Sequence, residues 1–262
     1  MNILCVRDAH VTNDQDLSRF HVLSRFIIKY KPDTIVLMGD FLTLNCLSAW
    51  DRNKRAKMEG RRYHKEIEAG NRALDYTFED TAVFNRERRR SRKKLYQPTV
   101  VYLEGNHEDR LTRYLDNDPT FAGHVSIQRD LQLEERGVKW VPYRDYYWEN
   151  DIGFTHIPFN KSREISGIDI TRKAAGVTVK STVFGHTHEL HCANVHKVGQ
   201  PHLQQVLSTG CWFEDTEEYA LGRVTQYWKG LCLLDSWKPG RFDLQTFALS
   251  KLRREYGIPR AY

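Results

Sequence analysis

Apolar positions along the chain fall into two kinds of stretch. Residues 2–7, Thr34–Met38, Thr99–Leu103, Ile152–Thr155 and Ser181–Phe184 are short runs with little alternation. Runs of that kind predict strands buried on both faces. Residues 15–30 instead place Leu17, Phe20, Val22, Leu23, Phe26, Ile27 and Tyr30 at helical spacing, and Lys31-Pro32-Asp33 ends the pattern. Strand, helix, strand in that order predicts two parallel neighbours joined by a right-handed crossover. Ligands collect at the carboxyl ends of such strands, where Asp8 and Asp40 would sit side by side.

The remaining pattern is less regular. In residues 51–97, Tyr63, Ile67, Leu74, Tyr76, Phe78, Val83 and Phe84 predict one long helix or two, with Gly60 and Gly70 as weak points. A helix is expected from Asp109 to Leu115, and loop and helix over 116–136. Strands are expected at 138–141 and 146–148, a polar loop at Ser162–Ser166, and a short helix at Thr171–Val177. Later strands are expected at 191–198, 203–208, 230–236 and 242–248, the last two as a hairpin around Pro239-Gly240. The polar, basic stretch Ser250–Tyr262 reads as peripheral. With no repeat or long linker, the expectation is one domain over 1–262, carrying a basic helical insertion at about 51–97.

Composition narrows the function classes. Hydrophobic residues make up 40% of the chain, enough for a sizeable core. No apolar run approaches the ~20 residues of a membrane span, so no membrane partner is expected. The start, Met1 to Val6, lacks a charged leader, so no signal peptide is expected. Five cysteines scattered without a Cys-x-x-Cys spacing argue against a disulfide framework or zinc ribbon and for a cytoplasmic protein. The net charge of +6 favours anionic partners. Seven cations lie within 86–94, a run that suits either nucleic-acid backbone or a solvated helix face. Aromatic residues are not interleaved there.

The chemistry lies where the strands stop. They end at Asp8-Ala9-His10, Gly39-Asp40, Gly105-Asn106-His107-Glu108, His156 and Gly185-His186-Thr187-His188. Asp-x-His alone also reads as a turn with a solvated histidine. Repetition at five strand ends does not have so bland a reading. All the donors are nitrogen or oxygen, which suits Mn²⁺, Fe or Zn²⁺, with Ni²⁺ a further alternative. Asp40, alone on its strand tip, can bridge two ions. Two ions about 3.5–4 Å apart clamp a phosphoryl group and activate water. No Ser or Cys with a neighbouring base stands among these blocks, so water is the expected nucleophile.

These blocks, in this order, resemble the five signature blocks of the calcineurin-like metallophosphoesterases, and they span residues 8–188. Gly-Asn-His-Glu-Asp-Arg in a short basic chain also resembles phosphoesterases encoded by bacteriophages, which would place the protein in host cytoplasm. The family resemblance implies an α/β four-layer αββα sandwich, two mixed β-sheets flanked by helices. It implies two divalent metal ions, Mn²⁺ foremost, with Asp8, His10 and His188 on the first and Asn106, His156 and His186 on the second. Asp40 would bridge them. His107 would stabilise the transition state and protonate the leaving oxygen, while a metal-bridging hydroxide attacks phosphorus in line. The implied activity is hydrolysis of phosphate esters, a phosphodiesterase or broad phosphoesterase. Its substrate would be a phosphorylated small molecule, a nucleotide or nucleic acid. The alternatives are a DNA or RNA nuclease of the same fold and a non-catalytic binding scaffold, the latter disfavoured because every expected ligand is kept.

The chain also departs from the family. Gly39-Asp40 runs on as Phe41-Leu42-Thr43 rather than Asp-Arg-Gly, which removes the carboxylate that would orient His107 and argues against a protein phosphatase. Arg110 is a candidate phosphate contact. Arg7 and Ile157 replace small residues, changes expected at the substrate entrance. His21 and His64 read as surface or packing residues, and His124, His191, His196 and His202 lie outside the blocks. The six tryptophans, from Trp50 to Trp237, read as core.

Overall fold

The computed structural model describes residues 1–167, 169–199, 203–214 and 227–260; His202 and the last two residues of the tail lie outside these. The first half runs β1 (Asn2–Val6), α1 (Ser18–Tyr30), β2 (Thr34–Leu37), α2 (Arg55–Met58), α3 (Tyr63–Arg90), β3 (Thr99–Leu103), α4 (Asp109–Asn117), α5 (Ile127–Asp130) and β4 (Val138–Val141). The second runs β5 (Tyr147–Glu149), β6 (Ile152–Thr155), β7 (Phe159–Asn160), β8 (Arg163–Glu164), α6 (Ile170–Val177), β9 (Thr182–Phe184), β10 (Leu190–Val195), β11 (Gln204–Thr209), β12 (Gly230–Lys238), β13 (Arg241–Ala248) and α7 (Leu249–Tyr256).

Two mixed sheets result. The larger has the order β13-β12-β1-β2-β3-β4, with β1 to β4 parallel and β12 antiparallel to β1. The smaller has the order β10-β11-β9-β6-β5, with β6, β9 and β11 parallel. Alternation along β1 explains why its residues 3–6 are all apolar. Ile3 and Cys5 face the second sheet, meeting Phe154, Val183 and Leu207, while Leu4 and Val6 face outward against helices. Those helices are α1, α3 and α7, contributing Phe20, Leu23, Phe26, Ile67, Leu74 and Leu252. On the far side, α6 covers the second sheet through Ile170, Ala174 and Ala175. The layers are therefore helix, sheet, sheet, helix, the four-layer αββα sandwich that the resemblance implies. Complete burial of each Phe or Leu contributes about 1.5–3 kcal/mol, so α1 is held mainly by its packed face.

Residues 51–97 contain one short helix and one 28-residue helix, α3. Gly60 lies before it, and Gly70 does not interrupt it, because Leu42 and Leu131 pack where a side chain would project. The face carrying Glu66, Ile67, Ala69, Gly70, Ala73, Leu74 and Thr77 is buried, whereas most of the cations of 86–94 are exposed. The Pro239-Gly240 hairpin forms with Lys238 opposite Arg241 and Gly240 at φ 71°.

Four expectations need correction. The tail is not peripheral: α7 buries Leu249 and Leu252, and its Arg253 bonds Glu214 at 2.7 and 2.5 Å beneath them. Its polar sequence hid this because the buried cation has partners distant in the chain. The loop at Ser162–Ser166 includes β8, which pairs with β7 as a small hairpin. Trp212 is buried, but Trp50, Trp148 and Trp237 are exposed. Arg7 and Ile157, only 1% exposed each, line no entrance. The Arg7 guanidinium lies behind the site against Gly230 O and Cys232 Sγ, and Ile157 packs under α6.

The α7 packing is testable. Leu252→Ala is expected to cost about 2–5 kcal/mol in a denaturant titration. Lys251→Ala, on the exposed side, should stay within about 0.5 kcal/mol of the parent. Equal effects would mean that the tail does not dock.

Candidate metal centre

Five candidate ligands leave their strands through left-handed backbone: Asp8 (φ 38°) and His10 (46°) after β1, Asp40 (47°) after β2, His186 (66°) and His188 (60°) after β9. A non-glycine residue there costs about 1–3 kcal/mol. Main-chain bonds continue past the strand ends and hold the turns. Asp8 N donates to Gly39 O at 3.2 Å, His10 N to Asp40 O at 3.0 Å and Val11 N to Phe41 O at 2.8 Å. Gly105 is required by close approach, since a Cβ would lie 2.2 Å from both Asp40 N and Asp40 Oδ1. The turns thus aim Asp8 and Asp40 side by side, as the strand order predicts.

All seven candidate ligands converge between the carboxyl ends of the two sheets. His10 Nε2 is 3.2 Å from His188 Nε2, which is 3.7 Å from Asp8 Oδ1. His156 Nε2, His186 Nδ1 and Asn106 Oδ1 form a triangle with edges of 2.9, 2.8 and 3.2 Å. Asp40 Oδ2 lies between the groups, 3.4 Å from His156 Nε2 and 4.0 Å from His10 Nε2. Asp8 also accepts from His186 N at 3.0 Å, coupling the groups through the backbone. Asp8, His10 and His188 could hold one metal ion, and Asp40, His156 and His186 another.

The donor set fits divalent cations. His156 Nδ1 donates to Met38 O at 2.9 Å, because a carbonyl only accepts. That leaves Nε2 directed at the triangle, the arrangement of a metal-ligating histidine whose other nitrogen is fixed by a carbonyl. Two donors at right angles on one ion, each about 2.1 Å from it, stand about 3.0 Å apart. The triangle has that spacing. Burial lowers the pKa of His10, and that of His188 to about 3, so both imidazoles are neutral near pH 7. Burial also disfavours charge on His156, yet Asp40, with Asp8 behind it, raises its pKa to about 10. The carboxylates therefore draw positive charge onto the point where three donors meet.

His107 lies beside the ligands. Its Nδ1 donates to Thr43 O at 2.8 Å, so this backbone carbonyl takes the place of an orienting carboxylate. Its Nε2 is 3.1 Å from Arg110 Nη2 and 3.9 Å from Asp40 Oδ2. Burial lowers its pKa to about 4, with Asp40 opposing and Arg110 adding to the effect. Arg110 Nη1 also donates to Thr43 O at 2.8 Å. His191 is outside the site, paired with Glu189.

By sequence Glu108 stands at the start of α4; its position shows another role. The side chain is completely buried. It accepts from Asp40 N at 3.0 Å, Gly105 N at 3.0 Å, Leu42 N at 2.8 Å and Tyr102 Oη at 2.9 Å. Four donors around one carboxylate lock the Asp40 turn to the Gly105 turn. The only available signal was a carboxylate next to His107, which does not reveal partners on another strand. Glu164 was also missed. It lies on the β7–β8 hairpin, bonds Tyr143 Oη, and approaches His186 Nε2 to 3.7 Å.

Glu108→Gln would turn an amide N–H₂ toward N–H donors. The expected cost is about 2–5 kcal/mol by denaturant titration, with weaker Mn²⁺ binding by equilibrium dialysis because Asp40 loses its anchor. Parent-like values in both would show that the turn holds without the carboxylate.

Comparison with solved structures finds the following similarities. Vps29 of Entamoeba histolytica, complexed with Zn²⁺, is 12% identical at a TM-score of 0.40, the alignment covering 95% of this chain and 99% of that one. TT1561 of Thermus thermophilus is 10% identical at a TM-score of 0.47, covering 95% and 98%. A predicted phosphoesterase of Streptococcus pneumoniae is 12% identical at a TM-score of 0.37, covering 95% and 90%. No family model and no curated protein matches the sequence.

Proposed function

We propose that the chain hydrolyses phosphate esters with two divalent cations, Mn²⁺ foremost as the family resemblance implies, the nitrogen and oxygen donors suiting Fe, Zn²⁺ or Ni²⁺ as well. The observation that carries this reading is the position of Asp40 between two donor groups. Asp8, His10 and His188 would hold one ion and Asn106, His156 and His186 the other, with Asp40 shared. Bound there, the ions supply charge neutralisation for a phosphoryl group and a water activated near neutral pH.

The chain's own residues supply the rest. Thr43 O holds the His107 Nδ1 proton, and Nε2 is unprotonated near pH 7 in the free site. Nε2 therefore donates to a leaving oxygen only after an anionic phosphoryl group beside it has raised its proton affinity and it has taken a proton from solvent. Arg110 Nη2 beside that nitrogen is placed to bind a phosphoryl oxygen and thereby release Nε2. The left-handed turns place the ligands before substrate arrives, so little reorganisation is needed during reaction. Phosphodiesters or a broad range of esters are favoured over phosphoproteins, since Gly39-Asp40 lacks the Asp-Arg-Gly continuation. The narrower bacteriophage resemblance rests on Gly105–Arg110 alone. Among the described residues no helix is long and apolar enough to cross a membrane. The five cysteines are free, which supports a cytoplasmic setting. A nuclease of this fold is the second reading, favoured by the exposed cations of 86–94.

Protein purified without chelator should contain about two ions per chain, and Asp40→Asn should abolish turnover of a small chromogenic phosphodiester. An undiminished rate in that variant would sink the mechanism. His107→Ala should retain its metal and lose about 10²–10⁴ in rate, more for poor leaving groups than for good ones. Equal losses on both would count against proton donation by His107.

A further inference from the structure

The net positive charge of the chain equals the charge of one short stretch. Lys and Arg number 40 and Asp and Glu 34 over the chain; residues 86–94 hold seven of the first kind and only Glu87 of the second. The other 253 residues therefore balance, with 33 of each sign. The net +6 is the charge of nine residues at the end of α3 and the turn after it.

This end is a built structure. Asn85 bonds both backbone groups of Tyr96, donating from Nδ2 to the carbonyl at 2.7 Å and accepting the amide at 2.8 Å. Tyr96 Oη donates to Pro32 O at 2.8 Å, and Lys93 N to Arg88 O at 2.8 Å. Arg88 donates from Nε to Lys94 O. Arg88 and Lys31 both approach the Phe84 ring, at 5.3 and 4.8 Å from its centroid, adding an eighth cation to the group. Arg86, Arg89, Arg90, Arg92, Lys93 and Lys94 are exposed, and among the described residues none of their side chains pairs with a carboxylate. Like charges held together on a fixed frame repel, and an anionic ligand relieves that repulsion without ordering the chain first.

We propose that this basic tip binds the phosphate backbone of nucleic acid. Arg86, Arg89 and Arg90 lie at i, i+3 and i+4 on α3, so they share one helix face. Arginine forks match phosphate oxygens in pairs. A membrane surface is a poorer fit: interfacial helices add a Trp, Phe or Leu face, whereas here Phe84 is covered by cations and Val83 is the one exposed large apolar side chain nearby. A small metabolite fits less well than a polymer. Glu66 of α3 bonds Asn45 N and Cys46 N in the segment that follows Asp40. At 1.5 Å per residue, Arg90 lies about 36 Å along the helix from it. Only an extended polyanion reaches from the tip to the metal centre. The preference for a polymer over a small metabolite rests on the hydrolase reading, while binding of a duplex in chelator tests the basic tip without it.

The test is fluorescence anisotropy of a labelled random-sequence duplex of about twenty base pairs, with the full chain in chelator so that nothing is cleaved. The parent should bind, with affinity falling steeply with salt. Arg86→Gln, Arg89→Gln and Arg90→Gln combined should weaken Kd at least about tenfold at ~0.1 M salt and reduce the slope of log Kd against log salt by about 2.7. The triple variant should keep the parent's melting temperature and its metal content, which separates lost contacts from lost fold. No binding by the parent, binding only to phosphatidylserine vesicles, or an unaltered slope in the variant would each overturn the proposal.

Discussion

Glu108 is the contact on which the rest of the site depends. Its carboxylate, buried behind β2 and β3, accepts from Asp40 N, Leu42 N, Gly105 N and Tyr102 Oη. A buried carboxylate is costly unless its lone pairs are matched by donors, and here the donors come from both neighbouring turns. The same four bonds therefore satisfy the charge and set the position of Asp40. Asp40 Oδ1 then accepts from His107 N at 2.9 Å, which leaves Oδ2 facing the histidines. One carboxylate thus orients a second, and the second stands between the donor groups.

The concentration of polar groups explains other features around the site. Asp8, Asp40, His10, His107, His156 and His188 are all nearly excluded from solvent. Their left-handed turns, their bonds to carbonyls and the glycines at 39 and 105 all resist collapse into a conventional loop. Strain of this sort persists only where the surroundings over-determine it. The two packed sheets supply that rigidity, because β1, β2 and β3 deliver Asp8, His10, Asp40 and Asn106 while β6 and β9 deliver His156, His186 and His188, so that each candidate donor group draws on both sheets. A buried face between the sheets, made of Ile3, Cys5, Phe154 and Val183, keeps the two sets in register.

The strands that carry ligands were legible because a strand buried on both faces reads as an unbroken apolar run. The ligands were legible because each run stops at a residue able to bind metal. What was illegible depended on partners far away in sequence. Glu108 looks like a helix-start residue until Asp40, 68 positions earlier, is seen to donate to it. Arg253 looks like a solvated tail cation until Glu214 and Asp16 are seen beside it. Arg7 looked like an entrance residue because it replaces a small residue of the family pattern, but its guanidinium turns back to Gly230 O and Cys232 Sγ, partners 223 and 225 positions away. Gly70 looked like a break because glycine lowers helix propensity, while packing against Leu42 and Leu131 decides the matter.

The same topology separates the two chemistries in space. Carboxyl ends of parallel strands gather the histidines and acids, whereas α3 returns to the amino ends and leaves its arginines there. Charges placed at the candidate metal centre would compete with any cations held there, since each added guanidinium nearby disfavours a bound ion. Arg90 lies about 36 Å along α3 from Glu66, the end of the helix bonded to the segment after Asp40, a span of several Debye lengths at physiological salt. On the two proposals above, a polyanion would be held at one end of the molecule while the donors at the other kept their affinity for metal, and a net charge carried by the end of α3 and the turn after it would permit both.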